Sequence, residues 1–155
     1  MKYIVDTNIF NDILDGHLSR LNFPKDCIFI ATNVQLQELK NTKNELRRSK
    51  LLNIFHEVIQ EVVLNESFAL DIPGAGFDQS NWGDGKSVLL LKNELDAIKR
   101  KLNNWHDSII AEVAWINGYG LITNDWNLAK ISKTYGIKVI CLKHLVKTLN
   151  QHAPT

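Results

Sequence analysis

The sequence has only two cysteines and three prolines in 155 residues, and almost no net charge. Cys27 and Cys141 lie in separate apolar stretches without Cys-x-x-Cys or Cys/His spacing, which excludes a zinc ribbon and predicts buried free thiols. The 18 basic and 17 acidic residues leave a charge of +1, so overall charge gives no indication of a nucleic-acid partner. The longest apolar run, residues 27–31, is too short to span a membrane, and Asp6 interrupts any signal-peptide core. We therefore expect a cytoplasmic protein without membrane contact.

Strand patterns recur along the chain. KYIV, CIFIA, FALDI, GLIT and KVICL each predict a strand. Glycine and proline between residues 73 and 87 predict a loop whose role the sequence leaves open. A hydrophobic content of 45% and the chain length fit one compact domain.

Helical spacing occupies the segments between these strands. Thr32 and Asn33 supply N-cap chemistry for VQLQELKN, and apolar residues at spacings of three and four predict one long helix over residues 44–63. Similar spacing predicts helices over 91–102, from Asp107 through DSIIAEVAWI, over WNLAKISKTYG, and around Leu145, Val146 and Leu149. Alternating strands and helices predict a parallel or mostly parallel sheet covered on both faces.

Four acidic residues fall where strands end or helices begin. Asp6 follows the first strand and Asp125 follows GLITN, so parallel strands would bring both to one edge of the sheet, where ligands bind. Glu38 lies one turn into the helix after CIFIA, and Asp107 is predicted to open a helix after NNWH. Taken singly, each acid is more simply explained as a helix cap or a solvated side chain, so a functional interpretation depends on the whole set.

Four carboxylates at one edge would form a negative pocket that destabilises the fold unless cations occupy it. Carboxylate oxygens are the ligands that Mg²⁺ and Mn²⁺ prefer, and these ions keep waters that a substrate phosphate can displace. Such a site hydrolyses phosphodiesters without a Ser, Cys or His nucleophile. The set therefore predicts metal-dependent phosphodiester chemistry.

The segments around these acids resemble the PIN-domain ribonuclease family, which includes the VapC-type toxins of bacterial toxin-antitoxin pairs. IVDTNIF resembles the opening motif with Asp6, and TNVQLQELKN resembles the segment with Glu38. NWHDSIIAEVA resembles the third motif with Asp107, and LITND resembles the closing motif with Asp125. The order and spacing of the four motifs agree over most of the chain.

The resemblance implies a single PIN-like nuclease domain over residues 1–155, built as a three-layer α/β/α sandwich around a mostly parallel sheet. It implies a divalent-metal-dependent endoribonuclease with RNA as substrate, a protein antitoxin and a homodimer as partners, and one or two Mg²⁺ or Mn²⁺ ions. The catalytic metal ligands carried over are Asp6, Glu38, Asp107 and Asp125. Asn8 and Thr123 match small polar positions that orient a carboxylate or a water, and Asn127 stands near the place of a further acid in some members.

Basic residues near the acidic set suggest contacts with RNA phosphates. The first cluster, opposed only by Glu45, consists of Lys40, Lys43, Arg47, Arg48 and Lys50. A second cluster is formed by residues 99–101. Solvated helix faces would have the same composition, so both interpretations remain open.

Two tryptophans and one histidine are further candidates. Trp82 and Trp105 would suit stacking on unpaired bases, although a place in the core explains a tryptophan beside an apolar helix more simply. His106 adjoins Asp107, but neighbouring residues of a helix point about 100° apart, which favours a structural histidine over a general base.

Other functions fit the sequence less well. GDGKS imitates the end of a phosphate loop, but the glycine that such a loop needs is Ser80 here. A phosphatase that forms an aspartyl-phosphate on Asp6 would need a second acid at the position of Asn8. A catalytically inactive PIN-like module that binds RNA or protein is opposed by the presence of all four acids. A PIN nuclease of RNA processing that is not a toxin stays open.

Overall fold

Strands and helices alternate through residues 1–64 and 86–143, which are the residues that the computed structural model describes. The strands of this part are β1 (Lys2–Val5), β2 (Ile28–Thr32), β3 (Glu61–Val63), β4 (Gly120–Ile122) and β5 (Val139–Ile140). Its α-helices are α1 (Thr7–Leu14), α2 (Asn33–Lys40), α3 (Glu45–Val58), α4 (Lys86–Ile98), α5 (Asn104–Asn117) and α6 (Trp126–Thr134).

The five strands form one sheet in the order β3-β2-β1-β4-β5, and every pair is parallel. The register places Tyr3 of β1 beside Phe29 of β2 and Gly120 of β4. The direction in which the chain adds strands reverses between β1 and β4, and in parallel sheets such a switch point opens a crevice at the carboxyl ends of the strands. The predicted α/β architecture is confirmed, and the described sheet is wholly parallel.

Helices cover both faces of the sheet because the side chains of β1 alternate. Ile4 points into a buried cluster with residues of α4, α5 and α6, whereas Tyr3 and Val5 point into a second cluster with residues of α1 and α3. β4 divides in the same way, with Leu121 in the first cluster and Ile122 in the second. The two clusters make the three layers that the α/β/α expectation requires.

Helix α5 is the most deeply buried helix of the described chain, with every residue from Asp107 to Ala114 buried. It ends at Gly118, which adopts a left-handed φ of 65° and closes the helix with its own N–H. Its first turn lies at the edge of the sheet where β1 and β4 end. An acid in that turn is therefore held by a rigid element.

The prediction of one helix over residues 44–63 is wrong at its carboxyl end. The buried face with Leu51, Phe55 and Val58 is present, but the helix stops at Val58 and residues 61–63 form the edge strand β3. Gln60 explains the change, because its backbone N–H donates to the Phe29 carbonyl and its side chain accepts from the Phe29 N–H. Pairing with β2 overrides the helical spacing of the later residues.

Three smaller expectations also need correction. Leu102 does not continue α4, which ends at Ile98, and its side chain is 96% exposed. Asp107 does not open α5, because the helix begins three residues earlier at Asn104. Cys27 and Cys141 are free thiols as expected, but both are only half-buried.

Several expectations fall on residues outside the described ranges. These are the strand FALDI, most of the loop over 73–87, Trp82, and the last helix around Leu145, Val146 and Leu149. The capping role of Thr32 lies within the described chain and is confirmed, since its hydroxyl accepts from the Gln35 N–H. No helix in residues 1–64 and 86–143 combines the length and apolar character needed to cross a bilayer.

Candidate active site

Asp6 and Asp125 both directly precede a helix in a strand-to-helix connection at the switch point of the sheet. Asp6 ends the β1 segment, and its side chain accepts from the Asn8 N–H as the N-cap of α1. Asp125 follows β4, and its Oδ1 accepts from the Leu128 N–H at 2.9 Å as the N-cap of α6. Each of these two carboxylates therefore caps a helix and also lies at the carboxyl end of a strand.

Glu38 and Asp107 reach the same edge from helices. Glu38 lies in α2, whose first turn is tied to the end of β1 by the amide of Gln35, which donates to the Val5 carbonyl. Asp107 lies in the first turn of α5, and its side chain is almost completely buried. Four separate elements thus bring one carboxylate each to this edge.

The four carboxylates line one pocket of about 220 Å³. Its full lining consists of Asp6, Thr7, Asn8, Glu38, Lys101, Asn103, His106, Asp107 and Asp125. A cleft at the carboxyl ends of β1 and β4 is the expected ligand position in a sheet of this topology. The structure thus places all four predicted acids around the same cleft.

Thr123 joins the two acids at the strand ends. Its hydroxyl donates to Asp6 Oδ2 at 2.6 Å and accepts from the backbone N–H of Asp125 at 3.0 Å. Because both bonds use the same oxygen, the hydroxyl proton has a fixed direction towards Asp6. Thr123 therefore holds one oxygen of Asp6 and the backbone before α6 in a set geometry.

Burial and mutual repulsion make two of the acids weak. Burial raises the pKa of Asp6 to about 6, although the hydrogen bonds from Thr123 and Asn8 oppose the rise. Burial, followed by the charges of Asp6 and Asp125, raises the pKa of Asp107 to about 8. No hydrogen bond to the Asp107 carboxylate comes from the described chain. Asp107 thus lacks a donor in a pocket with an excess of negative charge, an arrangement typical of functional sites.

Lys101 is the cation within this pocket. Its Nζ lies 2.9 Å from Asp125 Oδ2, and this hydrogen bond raises the pKa of Lys101 above its usual range. Burial acts to raise the pKa of Asp125, but the Leu128 N–H and the Lys101 ammonium outweigh it and hold the value below its usual range. Asp125 therefore stays ionised more readily than Asp6 or Asp107.

The Glu38 carboxylate has two polar neighbours. Thr7 Oγ1 donates to Glu38 Oε2 at 3.1 Å, and Nδ1 of His106 lies 3.7 Å from the same oxygen. Nδ1 of His106 is buried and has no hydrogen-bond partner in the described chain. The histidine predicted as structural thus lines the pocket, where it faces a carboxylate.

The donor set fits a hard divalent cation in its chemistry, since four carboxylates offer oxygen ligands and Asp107 has no competing donor. Among the described residues, no three His, Cys, Asp or Glu side chains stand close enough together to hold a metal ion. The ammonium of Lys101 pairs with Asp125 and so neutralises one of the four carboxylates. An ion bound by all four would require these side chains to come closer together.

Of the other predicted site residues, some line the pocket and others lie outside it. Asn8 lines the pocket, whereas Asn127 lies outside it and contributes its backbone N–H to Asp125. In the basic segment, Arg47 donates to Asp15 Oδ1 at 2.9 Å, and Arg48 donates to the Thr42 carbonyl. The three lysines of that segment, Lys40, Lys43 and Lys50, are exposed. Its two arginines are thus engaged in contacts within the fold.

Thr7 and Asn103 line the pocket but were not predicted as site residues, and Lys101 was predicted only as part of a basic cluster that could contact RNA. Thr7 directly follows Asp6 in the opening motif, so its position in the sequence could have indicated that it lines the pocket. Lys101 and Asn103 belong to the loop between α4 and α5, and nothing in the local sequence indicates that this loop folds over the acids. Their contribution depends on the packing of α4 against α5.

Comparisons with known proteins identify the fold. No protein-family model matches the chain, and no curated protein matches it. Among solved structures, VapBC2 from Rickettsia felis has a TM-score of 0.55 at 18% identity, covering 90% of this chain and 98% of that chain. VapBC-5 from Mycobacterium tuberculosis has a TM-score of 0.52 at 20% identity, covering 90% and 97%.

A PilT N-terminus domain protein, SSO1118 from Sulfolobus solfataricus, has a TM-score of 0.52 at 14% identity, covering 100% of this chain and 98% of that chain. This chain has a VapC-like PIN-domain fold. The likeness extends over nearly the whole length of these three structures. At these identities it concerns the fold alone, so a function must be argued from the pocket.

Proposed function

We propose that this protein is a divalent-metal-dependent endoribonuclease that uses Asp6, Glu38, Asp107 and Asp125 as its metal-binding carboxylates. The observation that supports it is the pocket itself, where four elements place four carboxylates at the switch point of a PIN-fold sheet. The raised pKa of Asp107, to about 8, indicates an unbalanced negative charge that a cation would offset.

The side chains around the carboxylates hold them in position. Thr123 fixes one oxygen of Asp6 by a hydrogen bond of 2.6 Å, and Thr7 fixes one oxygen of Glu38 at 3.1 Å. Such orienting contacts strengthen a metal site because the ligands need not be ordered when the ion binds. Asp107 receives no such hydrogen bond within the described residues and is held in place by its burial in the first turn of α5.

A bound Mg²⁺ or Mn²⁺ would polarise the scissile phosphate and lower the pKa of an attacking water. Asp107 must lose its proton before it can act as a ligand, and Asp6 must do the same. Lys101 must give up its contact with Asp125 if that carboxylate becomes a full ligand. His106 lies at the pocket wall.

The test is cleavage of a pool of single-stranded and structured RNA by the purified chain in Mg²⁺, in Mn²⁺ and in EDTA. We expect cleavage only with a divalent ion, and loss of cleavage by at least about a hundredfold in Asp107→Asn or Asp6→Asn. Asparagine keeps the size of each side chain while removing the charge that the ion requires. Circular dichroism would establish that both variants remain folded.

Asp26→Asn is the matched control. Asp26 is exposed and far from the pocket, and its positive φ of 60° is a conformation that asparagine tolerates well. This variant should cleave RNA like the unchanged chain. Equal activity in Asp107→Asn would indicate a contaminating nuclease, and an absence of cleavage by the folded chain under both ions would contradict the proposal.

A binding module without catalysis is the second candidate. The observation that favours it is the pairing of Lys101 with Asp125, together with the lack of three ligating side chains already at metal distance in the described residues. A module of this kind would bind RNA without cleaving it in any ion. It is distinguished from the nuclease by the same assay, with retention of RNA on a filter as the second readout.

We further propose that the nuclease is the toxin of a toxin-antitoxin pair, which is supported by the VapBC structures that share its fold. The antitoxin would be a protein that covers the acidic pocket, for which a basic side chain is complementary. A small DNA-binding protein encoded next to this gene should suppress growth arrest and co-purify with the chain. An isolated gene whose expression does not arrest growth would favour an RNA-processing nuclease.

A further inference from the structure

A groove of about 410 Å³ adjoins the acidic pocket. Its walls come from α4, from the loop before α5 and from the first turn of α5, and they consist of Lys92, Asp96, Arg100, Lys101, Leu102 and Trp105. Lys101 lines both the groove and the acidic pocket, so the two spaces share a wall. The volume lies within the range of roughly 300–1,000 Å³ in which proteins bind small organic ligands.

The groove carries a surplus of positive charge. Among the described residues of its walls the one acid is Asp96, which accepts from Lys92 Nζ at 2.6 Å and from the Asn104 amide at 2.6 Å, so its charge is already neutralised. Arg100 is exposed and forms no salt bridge with another described residue. A guanidinium with free donors pairs readily with a phosphate, because two of its N–H groups match two phosphate oxygens.

Trp105 gives the groove an aromatic wall. Both residues line the groove, and the ammonium of Lys92 lies over the indole at 5.1 Å from its centroid, so a base that stacks on this face must displace the lysine. Another part of Trp105 packs against the hydrophobic core, which fixes the ring. A nucleobase that stacks on such a ring gains about 1–3 kcal/mol, whichever base it is.

One helix turn connects the groove to the acidic pocket. In the first turn of α5, Trp105 lines the groove, whereas His106 and Asp107 line the pocket. Asn104 anchors the loop before this turn by donating to the Lys99 carbonyl at 2.9 Å. The distance between the two spaces is therefore set by adjacent residues of one rigid element.

From this arrangement we infer that the groove binds one nucleotide of a single-stranded RNA, next to the phosphate that enters the acidic pocket. The base stacks on Trp105 and the guanidinium of Arg100 pairs with a flanking phosphate. The inference rests on the proposed ribonuclease function and extends it from the reacting phosphate to a neighbouring nucleotide. Stacking and a phosphate contact tolerate any base, so the groove selects unpaired RNA rather than a particular base.

Photo-crosslinking tests where the RNA lies. A single-stranded RNA octamer with one 5-iodouridine is irradiated with the full chain in EDTA, and the crosslinked peptide is identified by mass spectrometry. The crosslink is expected on Trp105. Trp115 and Trp126, which are 40% and 72% exposed, serve as internal controls, and crosslinks confined to them or to other sites outside the groove would overturn the inference.

The affinity of two charge variants for the same octamer tests the phosphate contact of Arg100. Arg100→Gln should raise the Kd about fivefold and reduce the slope of log K against log salt by about one, as expected for one lost phosphate contact. Lys99→Gln removes the same charge from the neighbouring exposed residue, outside the groove, and should change the Kd by less than about twofold. Equal effects of the two variants would contradict a phosphate contact at Arg100.

These measurements separate the groove from the activity, because neither needs cleavage. A crosslink on Trp105 together with a failure of every divalent ion to support cleavage would refute the nuclease and keep the groove as an RNA site. Cleavage together with crosslinks elsewhere would refute the groove and keep the nuclease.

Discussion

Replacement of Asp107 with asparagine is expected to stabilise the metal-free protein at neutral pH, although it removes a proposed catalytic residue. The pKa of the Asp107 carboxyl rises from its usual 3.8 to about 8 in the folded chain. Between these values the folded state keeps a proton that the unfolded state releases, so stability is present below pH 3.8 and is lost as the pH rises through 8. An asparagine has no proton to lose and escapes this loss.

The size of the effect follows from the displaced pKa. Each pH unit between 3.8 and 8 costs about 1.4 kcal/mol, so the loss is about 2 kcal/mol at pH 5 and about 4 kcal/mol at pH 7. A domain is stabilised by roughly 5–15 kcal/mol in total, so a cost of this size is readily measured. The gap in stability between Asp107→Asn and the unchanged chain should widen accordingly from pH 5 to pH 7.

Urea unfolding in EDTA, followed by circular dichroism at pH 5, 6 and 7, measures this gap. Asp26→Asn, the exposed control, should differ from the unchanged chain by a constant small amount. A gap for Asp107→Asn that stays constant from pH 5 to pH 7 would refute the reasoning, because it would show that the buried carboxyl titrates as it does in the unfolded chain. If the reasoning holds, added Mg²⁺ should stabilise the unchanged chain at pH 7 but should not stabilise Asp107→Asn.

Three further outcomes are expected. Lys101→Met should tighten Mn²⁺ binding about fivefold by calorimetry, because it removes the cation that pairs with a carboxylate of the pocket at 2.9 Å, and unchanged or weaker binding would contradict this role. Thr123→Val should raise the pKa of Asp6 above about 6 by removing a hydrogen bond to its ionised form, and carboxyl carbon NMR should show this rise while Thr123→Ser does not. Gly120→Ala should cost about 1–3 kcal/mol of unfolding free energy, because a methyl group there would collide with the buried ring of Tyr3. Urea unfolding should show that Tyr3→Ala recovers part of this loss in the double variant, and full additivity would contradict the collision.

The order of strands and helices was largely available from the sequence. Periodic apolar residues marked β1, β2, β4 and most of the helices, because burial on one or both faces leaves a repeating pattern in the chain. The pattern failed between Val58 and Val63, where one helix was expected and a strand follows. Helical spacing was present there, but the hydrogen bonds of Gln60 with Phe29 depend on a neighbouring strand that local sequence cannot reveal.

The four acids that line the candidate site could be named from the sequence, whereas Thr7, Asn103 and the electrostatics of the pocket could not. The four acids were recognisable because each stands at a fixed place in a motif next to a strand end or an early helix turn. From the sequence, helix capping and a place in a pocket were alternative explanations for each acid. In the structure, Asp6 and Asp125 do both. Each carboxylate oxygen carries two lone pairs, so a carboxylate that accepts the capping hydrogen bond still has acceptor capacity for the pocket.

By itself, the sequence determined the alternation of strands and helices, the buried faces and the identity of the acids, since these are properties of residue type and spacing. Only the tertiary structure decided that Lys101 enters the acidic pocket, that Asp107 is weakly acidic and that Trp105 lines a groove beside it. These features depend on how closely α4, α5 and the sheet edge approach one another. Distances of a few ångströms control charge pairing and desolvation, and they arise from packing between segments far apart in the chain.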